Sequence, residues 1–349
     1  NIAVGNYALD ALTSGDYNTA VGLSALGANT TAGSNVAIGT SALEFNTTGA
    51  RNTAVGTSSL DANTTGNDNT AVGLNALGAN TTADYNTAVG RNALFVNTSG
   101  TKNSALGKDS LLANTTGNYN TAIGEGSLKA NTTASFNTGL GQESLAANTT
   151  GAKNVALGYD ALEANTTADN NIAVGYQALN RNTTGANNIS IGSLSLDHNT
   201  TADDNIAIGS NALTANTTGT RNIAIGSNAN DLADTENDNI AIGHDTMTAQ
   251  IAGASQNIAI GSYSLDALTT GDANVAIGHN AMTTNTSGEL NVAIGYQALE
   301  ASATAAGGVA IGSKALKVNT ADYNTAIGYL ALTANTTGTL NTAVGHAAL

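Results

Sequence analysis

The sequence predicts an all-β chain, a parallel β-solenoid of 21 coils of about 17 residues each. Three observations predict it. A motif of the form Asn-x-Ala-(Val, Ile or Leu)-Gly, or a close variant of it, opens at Asn1 and recurs every 17 residues up to Asn341, with one interval of 18 (Asn239 to Asn257) and one of 16 (Gly308 to Asn324). A fixed short period of this kind is the mark of a repeat architecture in which stacked units bury a continuous core. The chain also has no Pro, Cys or Trp and only 10 Tyr and 3 Phe in 349 residues, so its apolar bulk is spread thinly along an axis. Finally, a glycine and several β-branched residues in every unit, with no 3.6-residue apolar recurrence, rule out helical repeats.

Each element of the unit has a reason. With Asn18 as position 1, positions 2 to 4 (Thr19-Ala20-Val21) read as a short strand, because β-branched residues pack well on a pleated surface. Period 2 puts positions 2 and 4 on one side and the small residue at position 3 on the other. Position 5 is Gly in every copy, which points to a positive φ or a close backbone approach. Positions 8 and 9 (Ala25-Leu26, Ala42-Leu43) are expected to form a second extended piece. Positions 12 to 15, Asn-Thr-Thr-Gly or Asn-Thr-Thr-Ala, carry turn chemistry. Stacking such coils at the inter-strand spacing of about 4.8 Å gives a rod on the order of 100 Å long. It also lines up a structural ladder: Asn18, Val21, Gly22, Leu26 and Asn29 of one coil under Asn35, Ile38, Gly39, Leu43 and Asn46 of the next. The stacked Asn side chains are expected to bond coil to coil and to satisfy turn backbone groups.

One coil offers two or three large apolar side chains at roughly 1.5–3 kcal/mol each, whereas ordering its residues costs about 1.5 kcal/mol apiece. A lone coil therefore cannot stand. The small apolar residues at positions 3 and 8 are expected to form a flat second surface that packs against another chain. Residues 1–349 are expected to be a single continuous array excerpted from a longer protein, since both ends fall inside the repeat.

Charge and chemistry narrow the function. With 10 basic against 25 acidic residues the net charge is −15, which repels nucleic acid and anionic membrane surfaces. No apolar run approaches the roughly 20 residues of a membrane helix. Of the four histidines, His244, His279 and His346 share position 6, and His198 stands apart. Coils two apart are roughly 10 Å apart, too far for His244 and His279 to share a metal. Asp16, Asp84, Asp169, Asp203 and Asp272 share position 16 in non-adjacent coils, and Asp203-Asp204 is a candidate for a surface Ca²⁺. The turn motif lapses at 227–256 and at 300–323, where loops on a binding edge or neutral drift are both readings. The Asn-Thr-Thr triplets also match the N-glycosylation sequon. The expectation is no catalytic residue, no cofactor and no metal centre.

The recurring Asn-Val-Ala-Ile-Gly (Asn35–Gly39, Asn274–Gly278, Asn291–Gly295), with a small residue three positions after the Gly, resembles the head repeats of trimeric autotransporter adhesins of the YadA type. It is also similar to repeats of bacteriophage tail fibres and bacterial surface fibres. The resemblance spans the whole chain, though this unit is longer, Asn-Thr-Thr-Gly enlarging a turn. It implies a left-handed β-roll, three chains side by side, and an extracellular, cell-surface or virion location. The function it implies is a structural, adhesive fibre without catalysis, whose partners are itself (homotrimer or filament) and a host-surface, matrix or glycan receptor. Two further readings are an ice-binding solenoid, suggested by the Thr columns, and a carbohydrate-binding or carbohydrate-processing tail fibre. Against ice, positions 13 and 14 are adjacent and would point to opposite faces if extended.

Overall fold

A computed structural model describes residues 1–249 and 253–349. None of the described residues is helical. The chain forms two compact units, Asn1–Asn171 and Ile172–Leu349. Among the described residues the first holds ten three-residue strands, from Ile2–Val4 to Val155–Leu157, and the second eleven, from Ile172–Val174 to Thr342–Val344. Within each unit every strand pairs in parallel with the next coil's strand, like residue on like: Thr19 with Val36, Ala20 with Ala37, Val21 with Ile38. The long and short intervals do not disturb this. Ile240 pairs with Ile258 and Val309 with Thr325, so the length changes are absorbed outside the strands. Each unit is thus a parallel β-solenoid.

Two sequence expectations are overturned, and both concern which side is inside. Positions 3 and 8 are not a second surface. Ala20, Ala25, Ala37 and Ala42 are fully buried within their own coils, while Thr19 and Val21 are half-exposed. Nor are positions 8 and 9 a second strand. Ser24 and Leu26 have φ of +56° and +51°, and the amides of Gly27 and Asn29 bond back to the carbonyls of Ser24 and Leu26. The physical reason is plain: neighbours in an extended segment point to opposite faces, yet Ala25 and Leu26 both point inward. Alternating left-handed residues fold the corner so that this happens. A leucine held at positive φ costs about 1–2 kcal/mol, and burying it completely returns roughly 1.5–3 kcal/mol.

The interior is therefore narrow: Ala, Ala and Leu from positions 3, 8 and 9, flanked by the two asparagines. Small changes inside it are matched by neighbours. Gly139 takes the place of Ala at position 3, beside Ser127 and Ser144, whose hydroxyls lie 2.9 Å apart. A Cβ added at Gly139 would stand 2.5 Å from the Ser127 Oγ. Ser59 and Ser110, next to an Ala in the equivalent place, donate instead to the carbonyls of Gly56 and Gly107 at 2.9 Å. Ser127 has the same seat available at Gly124. Gly139→Ala is therefore expected to stabilise the first unit by about 0.4–1 kcal/mol, through the lower entropy of the unfolded chain. A drop in melting temperature for this variant would show that Ser127 cannot turn.

Candidate interaction surfaces

The two asparagine columns are internal to each coil wall. Asn18 donates from Nδ2 to the Ala32 carbonyl (2.9 Å), and its Oδ1 accepts the amide of Asn35 (3.0 Å). Asn35 repeats this with Gly49 (2.9 Å). Asn29 donates to the Ala32 carbonyl (3.1 Å), and Asn46 donates both to Gly49 O (2.9 Å) and to Asn29 Oδ1 (3.0 Å). All four are buried, as are Leu26 and Leu43. Both asparagines of a coil thus converge on the position-15 carbonyl. This is sound economy for buried polar groups, which cost about 1–3 kcal/mol when left unpaired. It also closes the sequons: the Asn46 amide nitrogen is buried, and both its hydrogens are engaged. The other ladder residues sit elsewhere. Gly22 and Gly39 turn the chain at φ of +139° and +134°, and Val21 and Ile38 lie on the outer face, Ile38 being 40% exposed.

Beside the asparagines, the position-13 threonines spend their hydroxyls on the next coil, as Thr47 Oγ1 does on the Thr64 carbonyl (2.9 Å). The position-14 threonines, such as Thr48 and Thr65, are exposed in a single row. The position-16 acids serve the backbone. Asp84, Asp169, Asp203 and Asp272 accept the amides of Asn67, Ala152, Ala186 and Ser255 at 2.6–2.7 Å. Asp16, on the first coil, is exposed. Sequence reasoning missed this role, although Asn67, Asn118 and Ser135 at the same position, all short acceptors, were a signal for it. Among the described residues no three His, Cys, Asp or Glu side chains converge on a point that could hold a metal ion. Asp203 is engaged with the backbone as above.

Exposed side chains form rails along the stack. In the second unit the rings of His244, Tyr263, His279 and Tyr296 follow one another at 5.7, 5.7 and 5.9 Å between centroids. Tyr329 and His346 make another pair at 5.3 Å. His198 lies 3.5 Å from Asp197, whose carboxyl burial pushes above the usual carboxylate range. In the first unit Tyr119 stacks flat on Phe136 at 5.1 Å, with the Lys102 ammonium 5.0 Å from the Tyr119 ring. Arg51 grips Asp68 through two bonds of 2.6 and 2.8 Å, and this pairing holds the Asp68 carboxyl below the usual range. Gly126 leaves a notch in the first unit, a groove of about 510 Å³ bordered by Lys108, Glu125, Lys129, Glu143 and Glu163.

The irregular segments keep the scaffold by substitution. At 227–256, of which 250–252 lie outside the described residues, Ala233 interrupts the asparagine column. Glu236 replaces Gly or Ala at position 15 and is buried, its carboxylate accepting the amides of Asp234 (2.7 Å), Thr235 (2.9 Å) and Gly253 (2.8 Å). Burial pushes the Asp231 carboxyl above the usual carboxylate range, with Asp245 and Asp266 pushing the same way. A folded value above the unfolded one makes the ionised form the less stable one, so lowering the pH through that range stabilises this coil. At 300–323, Gly308 still donates its amide to Asn291 Oδ1 (2.7 Å), and Lys317 pairs with Glu300 (3.1 Å).

The remaining surface is the outward side of the strands, built from positions 2 and 4. Among the described residues no strand carries a charged residue. In the first unit position 2 is mostly Thr or Ser (Thr53, Thr70, Thr87, Ser104), whereas in the second it is Ile or Val without a break from Ile172 to Val309. No protein-family model and no curated protein matches the chain.

Proposed function

We propose that the chain is a segment of a structural and adhesive fibre, of the kind formed by trimeric autotransporter adhesin heads and phage tail fibres. In this reading it is a left-handed β-roll that stands side by side with two copies of itself on a cell surface or virion. It presents the same outward positions coil after coil to a host-surface, matrix or glycan receptor, and does no catalysis. The observation that carries the reading is the register within each unit: every outward position recurs at the spacing of the coils, so weak contacts at equivalent positions sum to avidity without any single deep site. The ring rail at His244–Tyr296 and the stacked Tyr119–Phe136 pair give such contacts aromatic character. The exposed position-14 threonines are the one feature that favours ice binding. Only one row of them is free, because the position-13 hydroxyls are tied to carbonyls.

The test is attachment of beads coated with the whole chain to matrix proteins and a glycan panel, in flow, at graded coating density. Retention should rise more steeply than density. Retention that merely tracks density, turnover of a glycan, or inhibition of ice recrystallisation by the soluble chain would overturn the reading.

A further inference from the structure

Along the first unit, position 14 is Thr or Ser in all ten coils, from Ser14 to Thr167, and every one of these side chains is exposed. Other exposed positions do not hold their chemistry: position 17 runs through Arg51, Asp68, Tyr85 and Lys102 in four successive coils. The constancy of position 14 has no internal cause. Its position-13 neighbours, from Thr13 to Thr149, spend their hydroxyls on carbonyls of the next coil at 2.8–3.5 Å. Among the described residues no position-14 hydroxyl of this unit makes a hydrogen bond. A group kept in every coil without an internal partner is kept for an external one. The result is a single row of ten hydroxyls, stepped at about 4.8 Å over about 43 Å. We propose that this row binds a neutral, extended, β-linked polysaccharide chain laid along the coils. The proposal rests on the adhesive reading above and adds to it the receptor class and the residues that hold it.

Shape, period and charge select that ligand. A single row matches a line and not a plane, which favours a linear polymer over a crystalline face such as ice. The period then decides among polymers. An extended polypeptide repeats its same-side groups at about 6.6 Å and falls out of step by the second rung. A pyranose ring linked through equatorial oxygens is close to one coil spacing in length, so each sugar of an extended chain meets a fresh rung. Every rung offers a hydroxyl that both donates to and accepts from the sugar's own hydroxyls, and each threonine adds a methyl for the C–H face of the ring. Charge removes the acidic polymers: with 10 basic and 25 acidic residues the chain repels nucleic acid and polyuronates alike. Each such contact competes with water and is weak alone, so affinity grows with the number of rungs engaged at once.

That dependence supplies the test, equilibrium dialysis of the full chain against labelled oligosaccharides. Cellohexaose should bind, about tenfold more tightly than cellotriose. Maltohexaose, whose α-linked chain curls away from a straight row, should not. Thr48→Val, Thr82→Val, Thr116→Val and Thr150→Val remove alternate hydroxyls while keeping the branched shape at exposed sites. Thr184→Val and Thr218→Val do the same at position 14 of the second unit, so that no run of six hydroxyls survives. The sixfold variant should bind cellohexaose about tenfold more weakly, with circular dichroism and melting temperature retained. No binding of cellohexaose up to its solubility limit would overturn the proposal. So would equal binding of maltohexaose, or a variant that binds as tightly as the native chain. Inhibition of ice recrystallisation by the native chain but not the variant would assign the row to ice and likewise overturn it. Failure of bead attachment with cellohexaose binding intact would sink the adhesive reading and leave this one standing. Attachment to matrix proteins without cellohexaose binding would do the reverse.

Discussion

Gly209→Ala is expected to destabilise the second unit by about 2–6 kcal/mol. Two costs add. Gly209 has φ of +138°, a region that side-chain-bearing residues adopt only under strain of about 1–3 kcal/mol. A Cβ there would also stand 2.3 Å from the Gly226 carbonyl oxygen and 2.5 Å from its carbon. Those are backbone atoms of the adjacent coil, and they cannot yield without shifting the parallel ladder above. Gly226 faces Gly243 in the same way, at 2.2 Å, so the displacement would pass upward. Because stacked repeats sum local and neighbour terms instead of melting as one, the measurement is amide hydrogen exchange. Protection should fall sharply over Ile206–Ile225 and stay unchanged in the first unit. Unchanged protection at those amides would mean that the coil relaxes far more easily than its contacts imply.

The opposite sign is expected for Asn230→Leu, which should stabilise the second unit by about 1.5–5 kcal/mol. Asn230 occupies position 9, the interior leucine site, between Leu213 and Met247, and is fully buried. Neither its Oδ1 nor its Nδ2 has a hydrogen-bond partner among the described residues. Burying a leucine returns roughly 1.5–3 kcal/mol, and removing the unpaired amide about 1–3 kcal/mol. Against this stands the ease with which asparagine adopts its φ of +51°, an advantage of about 1 kcal/mol over leucine. Leucine accepts the same backbone at Leu213, φ +50°. Hydrogen exchange and melting temperature should both rise. A loss of stability would show that the amide is satisfied in solution, so that its removal exposes a need instead of a defect.

The seventeen-residue recurrence makes the parallel coils legible because register is a property of sequence alone. The asparagine columns follow from it, since a stacked amide has one neighbour above and one below. The side assignment was not legible by size. Val21 and Ile38 look like core, and Ala20 and Ala37 look like surface. The coil is too thin for a branched side chain from the strand, because Leu26 from the opposite corner fills the space. The better signal was variety. Position 3 admits only Ala, Gly139 or Ser190, the mark of a crowded site, while position 2 mixes Thr, Ser, Val and Ile, the mark of a half-wet one. The left-handed corner was hidden because leucine, unlike Gly or Asn, does not advertise a positive φ. The aliphatic outer face of the second unit was in plain view as a run of Ile at position 2, but it acquires meaning only once that position is known to face outward.

The closed sequons bear on how the chain can be made. Oligosaccharyltransferase acts on nascent chains before they fold, when every Asn-Thr-Thr is accessible. A sugar on the nitrogen of Asn46 would remove one of the two hydrogens that the finished wall uses and add a bulk that the wall has no room for. A cell that translocates this polypeptide through an endoplasmic reticulum would therefore trap it unfolded, one blocked rung at a time, whereas a host lacking that enzyme would let the rungs close. Heterologous production should succeed or fail along that line.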